Sequence, residues 1–169
     1  AAIRDPNPVL FFEHKALYRT RRPVPEAYHD ADHTIEFGRA KVHRTGKDIT
    51  VVATLTMLHQ ALAAAQTLAP EGISLEVIDP RTLVPFDRET IVESVRKTGR
   101  LLVVDEAYQA FGIHSEVLAT VAEQAFAALK APPRRLGNPG VPVPFAPGLE
   151  DEVLPNCDRI VAAARQLVA

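Results

Sequence analysis

From residue 36 onward, the apolar positions switch repeatedly between a period of two and a period near 3.6. Phe37 to Arg44 reads as a strand closed by Gly46, and Thr50 to Leu55 as a second strand rich in β-branched residues. Met57, Leu58, Ala61, Leu62, Ala65 and Leu68 recur at helical spacing, and Pro70-Glu71-Gly72 stops that helix. Ile73 to Ile78 is a strand ended by Asp79-Pro80. Asp87 is placed to cap a helix whose apolar stripe is Ile91, Val92 and Val95, with Gly99 as its stop. Leu101-Leu102-Val103-Val104 is a continuous apolar run, the pattern of a strand covered on both faces. A long helix is predicted from about Gly112 to Leu129, with Ile113, Val117, Val121 and Ala125 on one stripe. Residues 132–149 are rich in proline and glycine, with a short strand near Arg134–Leu136. Asn156 caps a last helix carrying Ile160, Val161, Ala164 and Leu167. Strands alternating with helices imply an α/β domain, with a largely parallel sheet and helices on both faces.

Residues 1–35 follow neither period. Asp5-Pro6-Asn7-Pro8 is a turn, and Val9-Leu10-Phe11-Phe12 reads as a short buried strand. The basic, proline-punctuated stretch that follows reads as an extended linker to about residue 35. Its Arg19, Arg21 and Arg22 could meet an anionic ligand, although a solvated linker is the simpler account.

Composition narrows the class. With 169 residues, 47% of them hydrophobic, the chain can bury a core of one domain. A net charge of -2 argues against a dedicated nucleic-acid binder, and no apolar run reaches the ~18 residues that span a membrane. The single cysteine, Cys157, excludes an internal disulfide framework and goes with a reducing, cytoplasmic setting. The 14 prolines and the start at Ala1 read as a processed chain or a fragment.

Open α/β sheets bind ligands beyond the carboxyl ends of their strands, which here offer Thr54, Thr56, Asp79, Arg81, Asp105 and Glu106. Asp105 and Glu106 could share acid–base work. Neighbours on a strand end point to opposite sides, however, so capping a turn or pairing with an arginine is the stronger reading. No strand-to-helix turn has the run of glycines that a phosphate needs, so a nucleotide site is disfavoured. Of the six histidines, His29 and His33 lie four apart in the linker without a convincing helix, and no paired zinc spacing occurs. His59 reads as structural and His114 as a local hydrogen-bonding residue. Cys157, near a helix N-terminus, is a reactive thiol only if exposed. The residues thus describe an α/β domain with no self-contained active site.

A longer text is recognisable in the chain. Asp5-Pro6-Asn7-Pro8-Val9-Leu10-Phe11-Phe12-Glu13-His14-Lys15 is followed by Glu76-Val77-Ile78-Asp79-Pro80-Arg81-Thr82-Leu83-Val84-Pro85-Phe86-Asp87, Val103-Val104-Asp105-Glu106-Ala107 and Val141-Pro142-Val143-Pro144-Phe145-Ala146-Pro147. Together they resemble the beta subunits of thiamine-diphosphate-dependent 2-oxo acid dehydrogenases, of the pyruvate, branched-chain and acetoin types. Asp105-Glu106-Ala107 is most similar to the acetoin type.

The resemblance implies a transketolase-type C-terminal domain at 36–169, a three-layer α/β/α unit with a mostly parallel five-stranded sheet. Residues 1–14 would be the last strand of a pyrimidine-binding domain and 15–35 the interdomain linker. It implies no catalytic and no cofactor-binding residue here: thiamine diphosphate and magnesium would be held elsewhere in the full enzyme. The implied partners are an alpha subunit, a second beta subunit and a lipoyl acyltransferase core. A potassium site would take the backbone carbonyls of Ala2 and Ile3 with Asp5 and Asn7, although Asp5 and Asn7 could equally only shape the turn. Pyruvate-type relatives carry an acid before the Ala-Pro step at the docking surface, and Lys130 stands there in this chain. Two rivals remain: a stand-alone dimerisation domain using its helices and residues 139–147, and a small-ligand binder at the Asp79 and Asp105 strand ends.

Overall fold

The computed structural model describes residues 1–21, 23–30 and 32–169. Five strands form one sheet: β1 (Lys41–Arg44), β2 (Ile49–Ala53), β3 (Leu75–Asp79), β4 (Leu101–Tyr108) and β5 (Arg134–Asn138). Their spatial order is β1-β3-β2-β4-β5. Only the β1–β3 pairing is antiparallel. The helices are α1 (Leu55–Leu68), α2 (Arg88–Thr98), α3 (Ile113–Ala125), α4 (Pro147–Val153) and α5 (Cys157–Val168).

The alternation along each strand decides which helix goes where. Val51, Ala53, Leu75, Val77, Leu102 and Val104 point to one face, where Ala61, Ala65 and Leu68 of α1 and Ile160, Ala164 and Leu167 of α5 cover them. Val52, Ile78, Leu101 and Val103 point to the other, under Ile91 and Val95 of α2 and Val117 and Val121 of α3. Two separate apolar layers, one on each side of a sheet buried on both faces, make the three-layer arrangement. On the α2 side the buried Thr50 hydroxyl is matched to Ser94 at 2.6 Å and Thr98 at 2.8 Å, so the polar group carries little penalty there.

The capping residues act as their sequence positions predict. Asp87 accepts from the Thr90 N–H at 3.1 Å, and Asn156 accepts from the Arg159 N–H at 3.0 Å. Gly99 ends α2 in the left-handed region at φ 75°, its N–H bonded to the Val95 carbonyl.

Four expectations need correction. Val9–Phe12 is not a buried strand: it pairs with no described strand, and Leu10, Phe11 and Phe12 are 85%, 75% and 72% exposed. An apolar run without a neighbouring edge has nothing to bury against. The first strand begins at Lys41, because Gly38 turns the chain at φ 70°. The long helix stops at Ala125, where a single 3-10 turn over Phe126–Ala128 follows. The proline-rich stretch runs into a short helix, α4, with Pro147 at its first position, where the missing N–H costs nothing. The linker stretch contains 3-10 turns at Lys15–Arg19 and Glu26–His29. Arg19 and Arg21 are exposed, and Arg22 lies outside the described residues.

Candidate functional site

β2 connects through α1 to β3 on one side, and β4 connects through α3 to β5 on the other. The connections therefore diverge between β2 and β4, the place where open α/β sheets bind ligands. In this chain that crevice is spanned by its own side chains. The Thr54 hydroxyl at the end of β2 donates to Asp105 Oδ2 on β4. Asp105 Oδ1 accepts from the Ala107 N–H at 2.8 Å. Glu106 points away from Asp105 and meets His14 Nε2 at 3.0 Å. The two adjacent carboxylates are thus divided between a strand-to-strand bond and a tie to the N-terminal segment. The two are directed to different partners rather than to each other, as an acid–base pair would need.

The glycines at this edge leave no cradle. A Cβ on Gly112 would stand 2.5 Å from the Tyr108 carbonyl oxygen, and one on Gly137 would stand 2.7 Å from the Ala107 carbonyl oxygen. Both close approaches are used by the protein itself, with the His114 ring filling the space between them. His114 is fully buried, and its Nε2 bonds the Leu136 carbonyl of β5 at 2.9 Å. Its role is therefore tertiary, joining α3 to the edge strand, rather than local.

The other sequence candidates are scattered. Asp79 binds the Arg81 N–H at 2.9 Å and lies 3.8 Å from His43 Nε2. Burial pulls the His43 imidazole below its ordinary value; the charges of Lys41, Arg81 and His59 add to this, and Asp79 opposes it. His33 packs on Tyr28, with ring centroids 4.7 Å apart and planes tilted by 34°. Cys157 is half-buried against the α1–α5 core, and its N–H donates to Gln60 Oε1 at 3.1 Å. Asp5 Oδ1 accepts from both the backbone and side-chain nitrogens of Asn7, at 2.8 and 3.0 Å, while Ala2 and Ile3 lie in the preceding 3-10 turn. Among the described residues no group of three or more His, Cys, Asp or Glu side chains is arranged to hold a metal. Nor is any helix long and apolar enough to cross a membrane.

Sequence reasoning missed one polar group of consequence. Glu76 on β3 is 3% exposed, salt-bridged to Lys97 Nζ of α2 and bonded by the Gly46 N–H at 3.2 Å. An acid inside an apolar strand, with a lysine on the next helix, was the available signal.

Comparison with known proteins fits this geometry. The family described as "Transketolase, C-terminal domain" matches residues 38–160. The acetoin:2,6-dichlorophenolindophenol oxidoreductase subunit beta of Cupriavidus necator is 50% identical over 165 residues, 98% of this chain and 48% of that protein. The mitochondrial pyruvate dehydrogenase E1 component subunit beta-1 of Arabidopsis thaliana is 45% identical over 166 residues, 98% of this chain and 46% of that protein. A solved split-gene transketolase, described as an inactive beta4 tetramer, superposes with a TM-score of 0.70 at 34% identity, covering 86% of this chain and 46% of that one. The chain spans about half the length of the curated relatives it matches. With its five-stranded sheet, its two covered faces and a match over most of its length, the chain belongs to the transketolase C-terminal domain family.

Proposed function

We propose that this chain is the C-terminal assembly domain of a beta subunit of a thiamine-diphosphate-dependent 2-oxo acid or acetoin dehydrogenase. The observation that carries the reading is the 45–50% identity to such subunits over 98% of the chain. The closed strand edge supports it, because a domain whose ligand crevice is spanned by Thr54 and Asp105 serves through its surfaces. Its partners are then an alpha subunit, a second beta subunit and a lipoyl acyltransferase core, in a cytoplasmic complex.

Thiamine diphosphate supplies the carbanion-stabilising chemistry of such an enzyme when bound. The residues of this chain do not fit that group. The space beside Gly112 and Gly137 is occupied by the protein's own atoms, and among the described residues no acidic cluster stands ready for its magnesium. Ala2, Ile3, Asp5 and Asn7 present the hard oxygens that suit potassium, and we assign that ion to this turn as part of the same reading. Lys130 reverses the sign of an acidic docking contact, so the acyltransferase partner should carry an acid opposite it. Its stem packs over Gly99, and its backbone N–H bonds the Gly99 carbonyl at 2.7 Å, which holds it in place at the surface.

Two measurements test the proposal. The isolated chain should show no 2-oxo acid- or acetoin-dependent dye reduction; turnover that disappears when thiamine diphosphate is withdrawn would overturn it. On a sizing column the chain should shift to a larger species with its alpha subunit. A homodimer indifferent to alpha would favour the second reading, a stand-alone self-association domain. The relative described as a beta4 tetramer gives that reading its support.

A further inference from the structure

Beyond the assembly role, we propose that the cleft between the 26–39 segment and the loop after β3 is a binding site for an aromatic phosphomonoester. The cleft has a volume of about 320 Å³ and is lined by Tyr28, His33, Ile35, Glu36, Arg39 and Arg81, with Thr34. That is room for a small molecule.

Two arginines enter it from backbone that is held on both sides. Arg39 lies between the Gly38 N–H, which donates to the Thr82 hydroxyl at 2.8 Å, and the Ala40 N–H, which donates to Asp87 Oδ2 at 2.8 Å. Arg81 lies between its own N–H bond to Asp79 and the Thr82 N–H bond to the Pro80 carbonyl. The Arg81 backbone is left-handed at φ 57°, a conformation with a steric cost for a residue bearing a Cβ. Its guanidinium nevertheless has no hydrogen-bond or ion-pair partner among the described residues. A residue held in a costly conformation, lining an open cleft and with its guanidinium unpaired among the described residues, is suited to receive an anion. Among the described residues the ion pair of Arg39 is a long contact to Glu36, 3.6 Å with both side chains mostly exposed, which an incoming anion can displace; its charge also acts on Asp87.

The other lining residues decide the ligand class. Tyr28 and His33 line the same cleft and hold their rings 4.7 Å apart at 34°, which adds aromatic surface to a cleft lined by two arginines. Phosphate oxygens match the forks of Arg39 and Arg81, and a planar ring one bond away can lie on Tyr28 and His33. Inorganic phosphate shares the first interaction and lacks the second.

Calorimetric titration of the full 169-residue chain with phenyl phosphate, inorganic phosphate and benzoate at low ionic strength tests this. Phenyl phosphate should bind saturably and about tenfold tighter than either of the others. Arg81→Gly removes the charge in a residue suited to φ 57° and should weaken phenyl phosphate about tenfold without changing the melting temperature. Arg39→Ala should act in the same direction. Glu36→Gln should tighten binding, and Tyr28→Ala should bring phenyl phosphate down to the affinity of inorganic phosphate. Arg88→Ala, which removes a cation paired with Glu116 elsewhere on the surface, should leave binding unchanged. Non-saturable binding, equal affinity for phenyl and inorganic phosphate, or equal losses in Arg81→Gly and Arg88→Ala would each overturn the proposal.

Discussion

Glu76 shows how a single buried charge is made tolerable in this domain. Burial alone would raise its carboxyl, but hydrogen bonds from Lys97, Ser94 and the Gly46 N–H, together with the Lys97 charge, hold it below the ordinary range. Asp87 follows the same logic: burial raises it, and the Ala40 and Thr90 donors and the Arg39 charge outweigh that. A carboxylate whose folded value is depressed stabilises the fold above its unfolded value, near 4, and that contribution is lost as pH falls through the folded value. Urea unfolding should therefore show declining stability from pH 5 to pH 2.5. At neutral pH, Glu76→Ala should cost about 1–2 kcal/mol, chiefly by leaving the Gly46 N–H without its acceptor, since the half-exposed Lys97 can turn to water. It should also flatten the acid limb, and an unchanged acid limb would contradict the role given to Glu76. The acid itself was visible in the sequence. Its burial was not, since Gly46 comes from the β1–β2 turn and Ser94 and Lys97 from α2, both distant in sequence from β3.

At the level of elements, local chemistry was the most legible part. Asp87, Asn156 and Gly99 act where their residue types predict, because capping depends on atoms within a few residues. Gly99 adds a non-local demand. A Cβ there would stand 2.7 Å from the Lys130 stem, besides being strained at φ 75°. Gly99→Ala should cost about 1–2 kcal/mol, and adding Lys130→Ala should return the part due to the contact while leaving the part due to φ. Strict additivity of the two changes would remove the contact from the account. The errors of reading lie where partners were distant or missing. Val9–Phe12 has strand composition but no strand beside it. The residues of α4 have weak helical periodicity and follow a stretch rich in proline and glycine, yet Pro147 starts a helix. The exposed Val141, Val143 and Phe145 ahead of it form an apolar surface that fits an assembly role.

For the whole molecule, the two apolar layers lie entirely within residues 40–168. The N-terminal segment joins the domain through polar contacts such as His14 to Glu106, on side chains about a quarter exposed. Deleting residues 1–35 should therefore lower the melting temperature by no more than about 4 °C, the shift expected for roughly 1 kcal/mol in a domain of this size. A collapse of the cooperative melt would mean that the segment belongs to the core. The same deletion should abolish the aromatic preference of the proposed phosphate cleft, since Tyr28 and His33 leave with it.

The sequence alone determined the layered architecture. A two-fold period and a 3.6-fold period alternate along one chain, and burying both kinds of apolar stripe leaves few arrangements other than helices on both faces of a sheet. It also determined the helix caps and the absence of a glycine-rich phosphate turn. Only the tertiary structure decided how the strand ends are used. Thr54 meets Asp105, His14 meets Glu106, and His114 fills the space above Gly112 and Gly137. Each of these pairings joins residues from different elements. No local propensity encodes such a meeting, which follows from the strand order and from the packing of helices on the sheet.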